Sequence, residues 1–177
     1  HQFSKTLNTK FDIMKQKTQR REDQYKLETL SIINEYALNN AKLSLGASQT
    51  TDKDVDNAKQ IKHTDLFSQW QGVINHNELS LGARIVDHDK FNKHNTYNVN
   101  WAKNTDNNAR ATASFGKATN LPDHYQNNLN IEHGKTELNP ERSNNIELGI
   151  GKDYHTWSMS AKIYKSKVTD AFKWSAT

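Results

Sequence analysis

The sequence contains no cysteine, only two prolines and no long run of apolar residues. Without cysteine, the chain has no disulfides, no thiol catalysis and no cysteine-ligated zinc site. No stretch approaches the roughly 18 consecutive apolar residues of a transmembrane helix, and the first residues do not resemble a secretory signal peptide. A membrane protein is still compatible with these absences, because a spanning β-barrel needs only short strands of alternating polarity.

Apolar residues are scarce overall, at 33% of the chain with a mean hydropathy of -0.99. Such values are typical of disordered chains. The sequence nevertheless has four Trp, six Tyr and six Phe, and these fall in regular alternation with polar residues. We therefore expect a folded chain with a thin core.

The charge balance does not point to nucleic acid. Lys and Arg number 24 and Asp and Glu number 20, for a net charge of +4. The only tight basic run is Arg20-Arg21, beside Lys15 and Lys17. Binding a phosphate backbone needs clustered charge, so these residues are predicted to be solvated surface, and no nucleic-acid partner is expected.

A period-two alternation of apolar and polar residues runs through most of the chain. Because successive side chains of a strand point to opposite faces, this pattern predicts strands with one apolar and one polar face. The clear segments are residues 7–17, 43–47, 66–74, 79–85, 97–101, 109–115, 146–150 and 157–163. Residues 26–38 alternate less cleanly and fit either a bulged strand or a short helix, and their neighbours favour a strand.

Short and long connections alternate between these segments. The short ones, near residues 39–40, 75–77, 104–108 and 153–155, are rich in Asn or Asp, as tight hairpin turns are. The long ones are expected at residues 20–25, 49–62, 87–94 and 117–142. This alternation predicts an all-β, antiparallel up-and-down meander of about nine or ten strands rather than a Greek-key sandwich. No linker divides the chain, so residues 1–177 are expected to form a single unit.

Residues that carry catalysis or hold metals do not converge in the sequence. The eight His are dispersed without the spacing of a preformed zinc site, so most of them are predicted to be ordinary loop residues. Asp52, Asp54 and Asp56 resemble the start of a calcium loop, but its sixth position is Asn57 and its twelfth is His63. No nucleophile elbow, phosphate-binding loop or carboxylate pair is identifiable. We therefore predict no enzyme activity, no catalytic or metal-binding residue and no cofactor.

Aromatic residues cluster near the ends of the predicted strands: Trp101, Tyr154, Trp157 and Trp174. Such positions fit an aromatic girdle at a membrane interface. They fit equally well cross-strand packing in a soluble sheet. The sequence leaves both interpretations open.

Residues 138–149, LNPERSNNIELG, resemble a motif of TonB-dependent outer-membrane receptors, in which a Leu-x-Pro-Glu turn precedes Ser and a Glu-Leu-Gly strand. The matching positions are Leu138, Pro140, Glu141, Ser143, Glu147, Leu148 and Gly149. Residues 111–126 resemble a strand and loop of the same family, with matches at Phe115, Gly116, Ala118, Pro122 and Tyr125. Residues 79–91, LSLGARIVDHDKF, also resemble a strand of these barrels. The resemblance spans approximately residues 43–174.

This resemblance implies a transmembrane β-barrel in the bacterial outer membrane that takes up a metal chelate, namely a siderophore, haem or cobalamin. The apolar strand faces would contact outer-membrane lipid, the polar faces would line the lumen, and the long loops would meet the ligand. TonB would act through a plug domain, which is not recognisable within residues 1–177. We therefore expect a segment of a receptor barrel, either a truncated chain or part of a larger one.

An alternative is a soluble β-rich binding module, or a solubilised barrel derivative without transport activity. The low mean hydropathy favours it. It requires the apolar strand faces to turn inward onto a shared core.

Overall fold

The computed structural model describes residues 6–20, 23–105 and 107–172, which fold into a single nine-stranded antiparallel sheet. The strands pair in the order of the sequence, which confirms the predicted up-and-down meander. None of the described helices is long and apolar enough to cross a membrane. The elements are β1 (Thr6–Arg20), β2 (Asp23–Leu38), β3 (Ala41–Asp54), β4 (Lys59–Ile74), β5 (Asn77–His88), β6 (Asn92–Asn104), β7 (Ala109–Asn120), α1 (His124–Glu132), β8 (Glu141–Asp153) and β9 (Ser158–Thr169).

The two ends of the sheet differ, although less than the sequence predicts. One end, the turn end, has the expected tight connections at residues 39–40, 75–76, 105–108 and 154–157. At the other, the loop end, the strands continue through segments predicted as long loops, since pairing runs to Arg20↔Asp23 and to Asp54↔Lys59. The long connections expected at residues 20–25, 49–62 and 87–94 are therefore wrong. Only residues 121–140 form a long connection within the described ranges.

The register explains why these strands extend beyond the last residues of their apolar alternation. Pairing between β1 and β2 and between β2 and β3 is uninterrupted, so residues 26–38 form a strand with no bulge. Beyond the last apolar residues, polar cross-strand pairs continue the ladder: Lys53 donates to Glu28 at 3.0 Å, and the Thr29 and Thr50 hydroxyls lie 3.1 Å apart. A search for apolar alternation misses this part of the strand because backbone pairing does not require apolar side chains.

One face of the sheet, here called the outer face, carries an apolar band. Paired outer-face residues run in rows across the strands, one of which is Tyr36, Leu43, Trp70, Leu81, Val99, Phe115 and Ile146. These side chains have little cover: Phe11 is 71% exposed and Ile163 is 70% exposed. The apolar face of this sheet is therefore not packed on a core made by the described residues.

The opposite, inner face holds the buried residues. All buried strand residues have inner-face register, among them the apolar Tyr25, Ile61, Val86 and Ala102 and the polar Ser44, Thr50, Asp54, Asp65 and His88. The thin core expected from the composition thus lies on the polar side. The arrangement required for a soluble module, with apolar faces turned inward, is not what the described residues form.

The aromatic residues near the strand ends lie at the turn end. Trp101 is on the outer face, and its indole N–H donates to the Asn77 side-chain oxygen at 3.0 Å. Tyr154 and Trp157 stack with ring centroids 4.0 Å apart in the connection between β8 and β9. Trp174 lies outside the described residues. The position of Trp101 is that of an aromatic girdle residue in a membrane barrel.

Phe67 packs over Gly46, its cross-strand partner on the inner face. A Cβ at residue 46 would overlap the Phe67 ring, so Gly46→Ala must displace an aromatic side chain. We expect the substitution to lower stability by about 1–3 kcal/mol, the usual cost of overpacking, measured as a lower melting temperature of the folded protein in detergent. Gly151→Ala is the control, because its Cβ would meet its nearest atom at an ordinary 3.5 Å. Equal melting temperatures for Gly46→Ala and the parent would contradict this packing.

Candidate functional site

Residues 121–140 contain the short helix α1, whose start is fixed by a reciprocal cap. The Asp123 carboxylate accepts from the Gln126 backbone N–H at 2.7 Å, and the Gln126 side chain accepts from the Asp123 N–H at 3.0 Å. This capping box satisfies two backbone donors that a helix start leaves free. At the other end, Gly134 adopts a φ of 69°, a conformation that glycine takes without strain.

Helix α1 docks on the inner face at the loop end through Asp54, the last residue of β3. The Asn128 side chain donates to Asp54 at 2.7 Å, and Asn57 donates to the same carboxylate from its side chain at 2.9 Å and its backbone at 3.2 Å. Burial by itself raises the pKa of Asp54, but these hydrogen bonds outweigh it and hold the pKa below its usual value. An ionised Asp54 at 1% exposure therefore holds the helix to the sheet.

The return of the connection to the sheet is fixed by the segment that resembles the receptor motif. The Leu138 backbone N–H donates to the Asn127 side-chain oxygen at 3.0 Å. Pro140 is buried, and β8 begins at the next residue, Glu141. Residues 138–149 therefore join a loop that crosses the inner face to a strand of the sheet, a structural role rather than a chemical one.

A cleft of 180 Å³ opens between α1 and the loop-end parts of β1, β2 and β3. The Arg20 guanidinium lies 4.7 Å from the centre of the Tyr125 ring and 3.7 Å from the Asp123 carboxylate. Tyr25 meets Tyr125 edge to face, with centroids 6.1 Å apart. A cation and two aromatic rings thus form one side of the cleft, a combination that binds planar or anionic groups.

Two groups that line the cleft, Asp52 and Tyr25, have raised pKa values. Burial is the main cause of the raised pKa of Asp52. The nearby Asp123 carboxylate also raises this pKa, whereas His124 lowers it. Burial likewise raises the pKa of Tyr25, so its phenol is neutral at physiological pH. The cleft can therefore offer a phenolic O–H, an exposed guanidinium and carboxylate acceptors to a ligand.

Two histidines on neighbouring strands stack at the loop end. His63 of β4 pairs with His88 of β5, and their rings lie nearly parallel with centroids 5.6 Å apart. The His88 Nδ1 accepts from the backbone N–H groups of Lys90 and Phe91 at 3.1 and 3.2 Å, which fixes the turn at residues 89–91. The prediction that most of the histidines are ordinary loop residues is wrong for the described ones. His63, His88 and His94 lie in strands, and the buried His124 lies in α1.

The acidic triplet that resembles a calcium loop is dispersed by the fold. Asp54 is bonded to asparagine side chains, Asp56 accepts from the Gln24 backbone N–H at 2.5 Å, and Asp52 lines the cleft. Within residues 6–20, 23–105 and 107–172, no group of three or more His, Asp or Glu side chains is placed to hold a metal ion.

Sequence reasoning did not bring the cleft residues together. In the sequence, Tyr125 stands out only as a match to the family, and Arg20 only as part of a basic run. Their contact joins β1 to a loop more than a hundred positions later, and it depends on how residues 121–140 cross the sheet. A local sequence pattern does not contain that information.

Replacing Asp54 by Ala removes the acceptor that holds α1. Hydrogen bonds to a charged group contribute about 1.5–3 kcal/mol, so we expect the α1 amides to exchange with solvent roughly tenfold faster or more. Hydrogen exchange followed by mass spectrometry of residues 124–132 measures this. Asp87→Ala is the control, because Asp87 is an exposed carboxylate at the same end that pairs with Lys93 at 3.7 Å. Unchanged exchange in Asp54→Ala would show that α1 does not depend on Asp54.

The turn at residues 89–91 is expected to respond to acid through His88. Burial, reinforced by His63, lowers the pKa of His88 from 6.5 to about 4. The opened turn therefore binds a proton that the closed turn excludes, so stability is full above pH 6.5 and is lost as the pH falls towards about 4. Exchange of the Lys90 and Phe91 amides, corrected for intrinsic rates, should accelerate across this window, and His88→Gln should abolish the response. A pH-independent protection factor in the parent protein would contradict it.

The sheet as a whole is similar to a known family of membrane receptors. The family model described as TonB dependent receptor-like, beta-barrel, matches residues 2–177. No curated protein matches the sequence. The siderophore receptor PirA from Pseudomonas aeruginosa is similar in structure, with 20% identity, a TM-score of 0.66 and coverage of 92% of this chain and 35% of that one.

Two further solved structures share the fold. A mutant of the ferric enterobactin receptor from Pseudomonas aeruginosa has 16% identity and a TM-score of 0.64, over 82% of this chain and 27% of that one. The copper transporter OprC has 13% identity and a TM-score of 0.62, over 82% of this chain and 30% of that one. Identities this low show the fold alone, and the chain spans only about a third of each of these structures.

The family model accounts for nearly every residue of the chain, including the 138–149 motif, and the nine-stranded meander matches part of each solved barrel. Its members are receptors and transporters, which is not a class of enzymes. The chain belongs to the TonB-dependent receptor family, in which it is part of the β-barrel.

Proposed function

We propose that this chain forms part of the wall of an outer-membrane receptor that binds a metal chelate and admits it through the barrel. The observation that carries the proposal is the division of the sheet into a bare apolar face and a polar face crossed by residues 121–140. In the bacterial outer membrane, the outer face contacts lipid and the inner face lines the lumen.

The exposed outer face supports contact with lipid. Leu66 is 58% exposed, Ile85 is 52% exposed and Ile150 is 64% exposed, and the face they share is larger than a soluble protein usually leaves in water. From Leu79 to Ile85, the apolar outer residues of β5 span about 20 Å at roughly 3.4 Å per residue. That length approaches the band of about 25 Å that faces lipid in membrane barrels.

The inner face supports an aqueous lumen. It carries close ion pairs between strands: Arg84 with Asp65 at 2.9 Å and Lys162 with Glu147 at 3.0 Å join neighbouring strands, and Arg110 of β7 reaches across β6 to Glu78 of β5 at 2.7 Å. Charged side chains of this density are costly in hydrocarbon but ordinary in a polar barrel interior. The soluble alternative would need to cover the outer face instead, and the low mean hydropathy is its only support.

The cleft beside α1 is the ligand contact that we propose. It lies at the loop end on the inner face, where a ligand entering the lumen passes, and it offers Arg20 and the Tyr25 and Tyr125 rings. These groups suit a chelate that presents aromatic or flat rings or negative charge, such as a catecholate siderophore or haem, with cobalamin as a further candidate. One similar structure is a ferric enterobactin receptor and another a copper transporter.

Under this proposal, other parts of the receptor supply the plug domain and the remaining strands of the barrel. Residues 1–177 are a single barrel segment that contains no plug domain, and further strands continue the sheet at β1 and β9, its two edges. Open strand edges present unpaired backbone groups, which hydrocarbon does not satisfy. Energy from TonB reaches the ligand through a plug contributed by another part of the receptor.

Uptake of ferric enterobactin by cells that make the full-length receptor tests the proposal. Arg20→Gln and Tyr125→Ala remove the cation and the ring that it stacks on, so we expect each to weaken chelate binding by about tenfold. Lys167→Gln on β9 is the control, because it removes one charge far from the cleft. If the parent receptor takes up neither this chelate nor haem nor cobalamin, the proposed function is wrong; if it does and the cleft variants match the parent, only the ligand contact is wrong.

A further inference from the structure

The loop end of the outer face carries a patch of lysines on β1 to β4, here called the lysine patch: Lys15, Lys17, Lys26, Lys53 and Lys62. Glu28 is the one acidic residue that the described parts of these four strands place on this face, and it pairs with Lys53 at 3.0 Å. At the turn end, the described residues of these four strands place no charged side chain on the outer face. On β1 to β4, positive charge is thus concentrated on one side of the apolar band.

The lysine side chains of this patch stand opposite one another, and their mutual repulsion favours binding of a negatively charged group. Lys17 pairs with Lys26, which pairs with Lys53, so three ammonium-bearing side chains stand in line across adjacent strands. Like charges directly opposite in a sheet are destabilising, and the single carboxylate of Glu28 does not balance five lysines. An anion bound over the row would remove the repulsion.

A groove in the apolar band lies directly below the lysine patch. It has a volume of 300 Å³, and its outer-face lining is Phe11, Leu30, Ile32, Ala47, Gln49 and Thr64. Leu30 pairs with Ile13, and Lys15 is two residues further along β1 on the same face. The patch therefore begins about 7 Å above the rim of the groove, at roughly 3.4 Å per residue.

We propose that the lysine patch and this groove bind an anionic lipid of the surrounding leaflet, with the phosphate of its headgroup on the lysines and an acyl chain in the groove. The inference rests on the proposed position of the outer face in a membrane. A phosphate-bearing amphiphile fits because its charge and its apolar chain are separated in the same direction as the patch and the groove. The same face continues with Lys117, Arg142, Lys165 and Lys167 on β7 to β9, so other such lipids adjoin the first.

Native mass spectrometry of the full-length receptor, reconstituted in phosphatidylcholine nanodiscs with increasing phosphatidic acid, tests this binding. The parent protein should retain phosphatidic acid in preference to phosphatidylcholine. The combined variant Lys15→Gln, Lys26→Gln and Lys62→Gln should lower that preference by about tenfold or more, since each basic residue near an anionic surface contributes to the attraction. Raised salt should weaken retention in the parent in the same direction.

The control variant combines Lys10→Gln, Lys103→Gln and Lys152→Gln. It removes the same charge from an inner-face position and from the turn end of the outer face, and it should leave the preference unchanged. A second variant, Ala47→Phe, fills the groove without changing charge and should reduce retention of the lipid.

Several results would overturn the inference. These are an equal loss in the lysine-patch and control variants, no preference in the parent, or displacement of the lipid by inorganic phosphate alone. The outcome is separable from that of the proposed function, because a receptor that enters nanodiscs and still takes up its chelate can fail this test on its own. A protein that does not enter the bilayer at all would instead refute the membrane placement.

Discussion

An uninterrupted antiparallel ladder is the constraint on which the rest of this molecule depends. Each strand keeps a single register over all the residues that pair with its neighbour, so the parity of a residue decides its face. A slip of one residue would exchange the faces of a whole strand, placing Leu81 or Ile85 among the inner-face ion pairs. The apolar band, the polar inner face and the lysine patch all follow from this one register.

Residues 121–140 depend on the same register at a distance. Helix α1 is too short to be stable alone, and it forms because Asp123 caps it and because the ladder delivers Asp54 to the inner face at the end of β3. Once docked, the helix brings Tyr125 to Arg20 and Tyr25 and so creates the cleft. A weaker contact at Asp54 would therefore alter the cleft before it altered the sheet.

The sequence predicts the repeating parts of this fold better than the singular ones. Alternation such as Leu79, Leu81, Ala83 and Ile85 identifies the strands and their order, because the period of a strand is visible in apolar side chains. The same criterion ends β3 too early and begins β4 too late. It misses residues 49–54 and 59–62, where the ladder continues through Thr, Asp and Lys. Residues 141–145 are a similar case, since β8 begins at Glu141 and not near Ile146.

Long-range contacts are the part that sequence patterns do not supply. His63 and His88 meet only because their strands pair in this register, and Asn128 reaches Asp54 only after the loop has crossed the sheet. By contrast, the 138–149 motif identified the family without indicating any chemistry. Its residues fix the entry into β8, and the groups with shifted pKa values lie elsewhere, among them Asp52, Asp54 and His88.

Residues 1–177 contain no cysteine, so a cysteine introduced into β5 is the only one in this sheet, and a spin label attached to it in a lipid bilayer measures which way the side chain faces. Labels placed in turn from residue 79 to residue 85 of β5 would be tested against oxygen, which concentrates in lipid, and against a water-soluble nickel complex. The account predicts a strict alternation, with Leu79, Leu81, Ala83 and Ile85 accessible to oxygen and Ser80, Gly82 and Arg84 accessible to nickel. Equal access to the nickel complex at both sets of positions would contradict it.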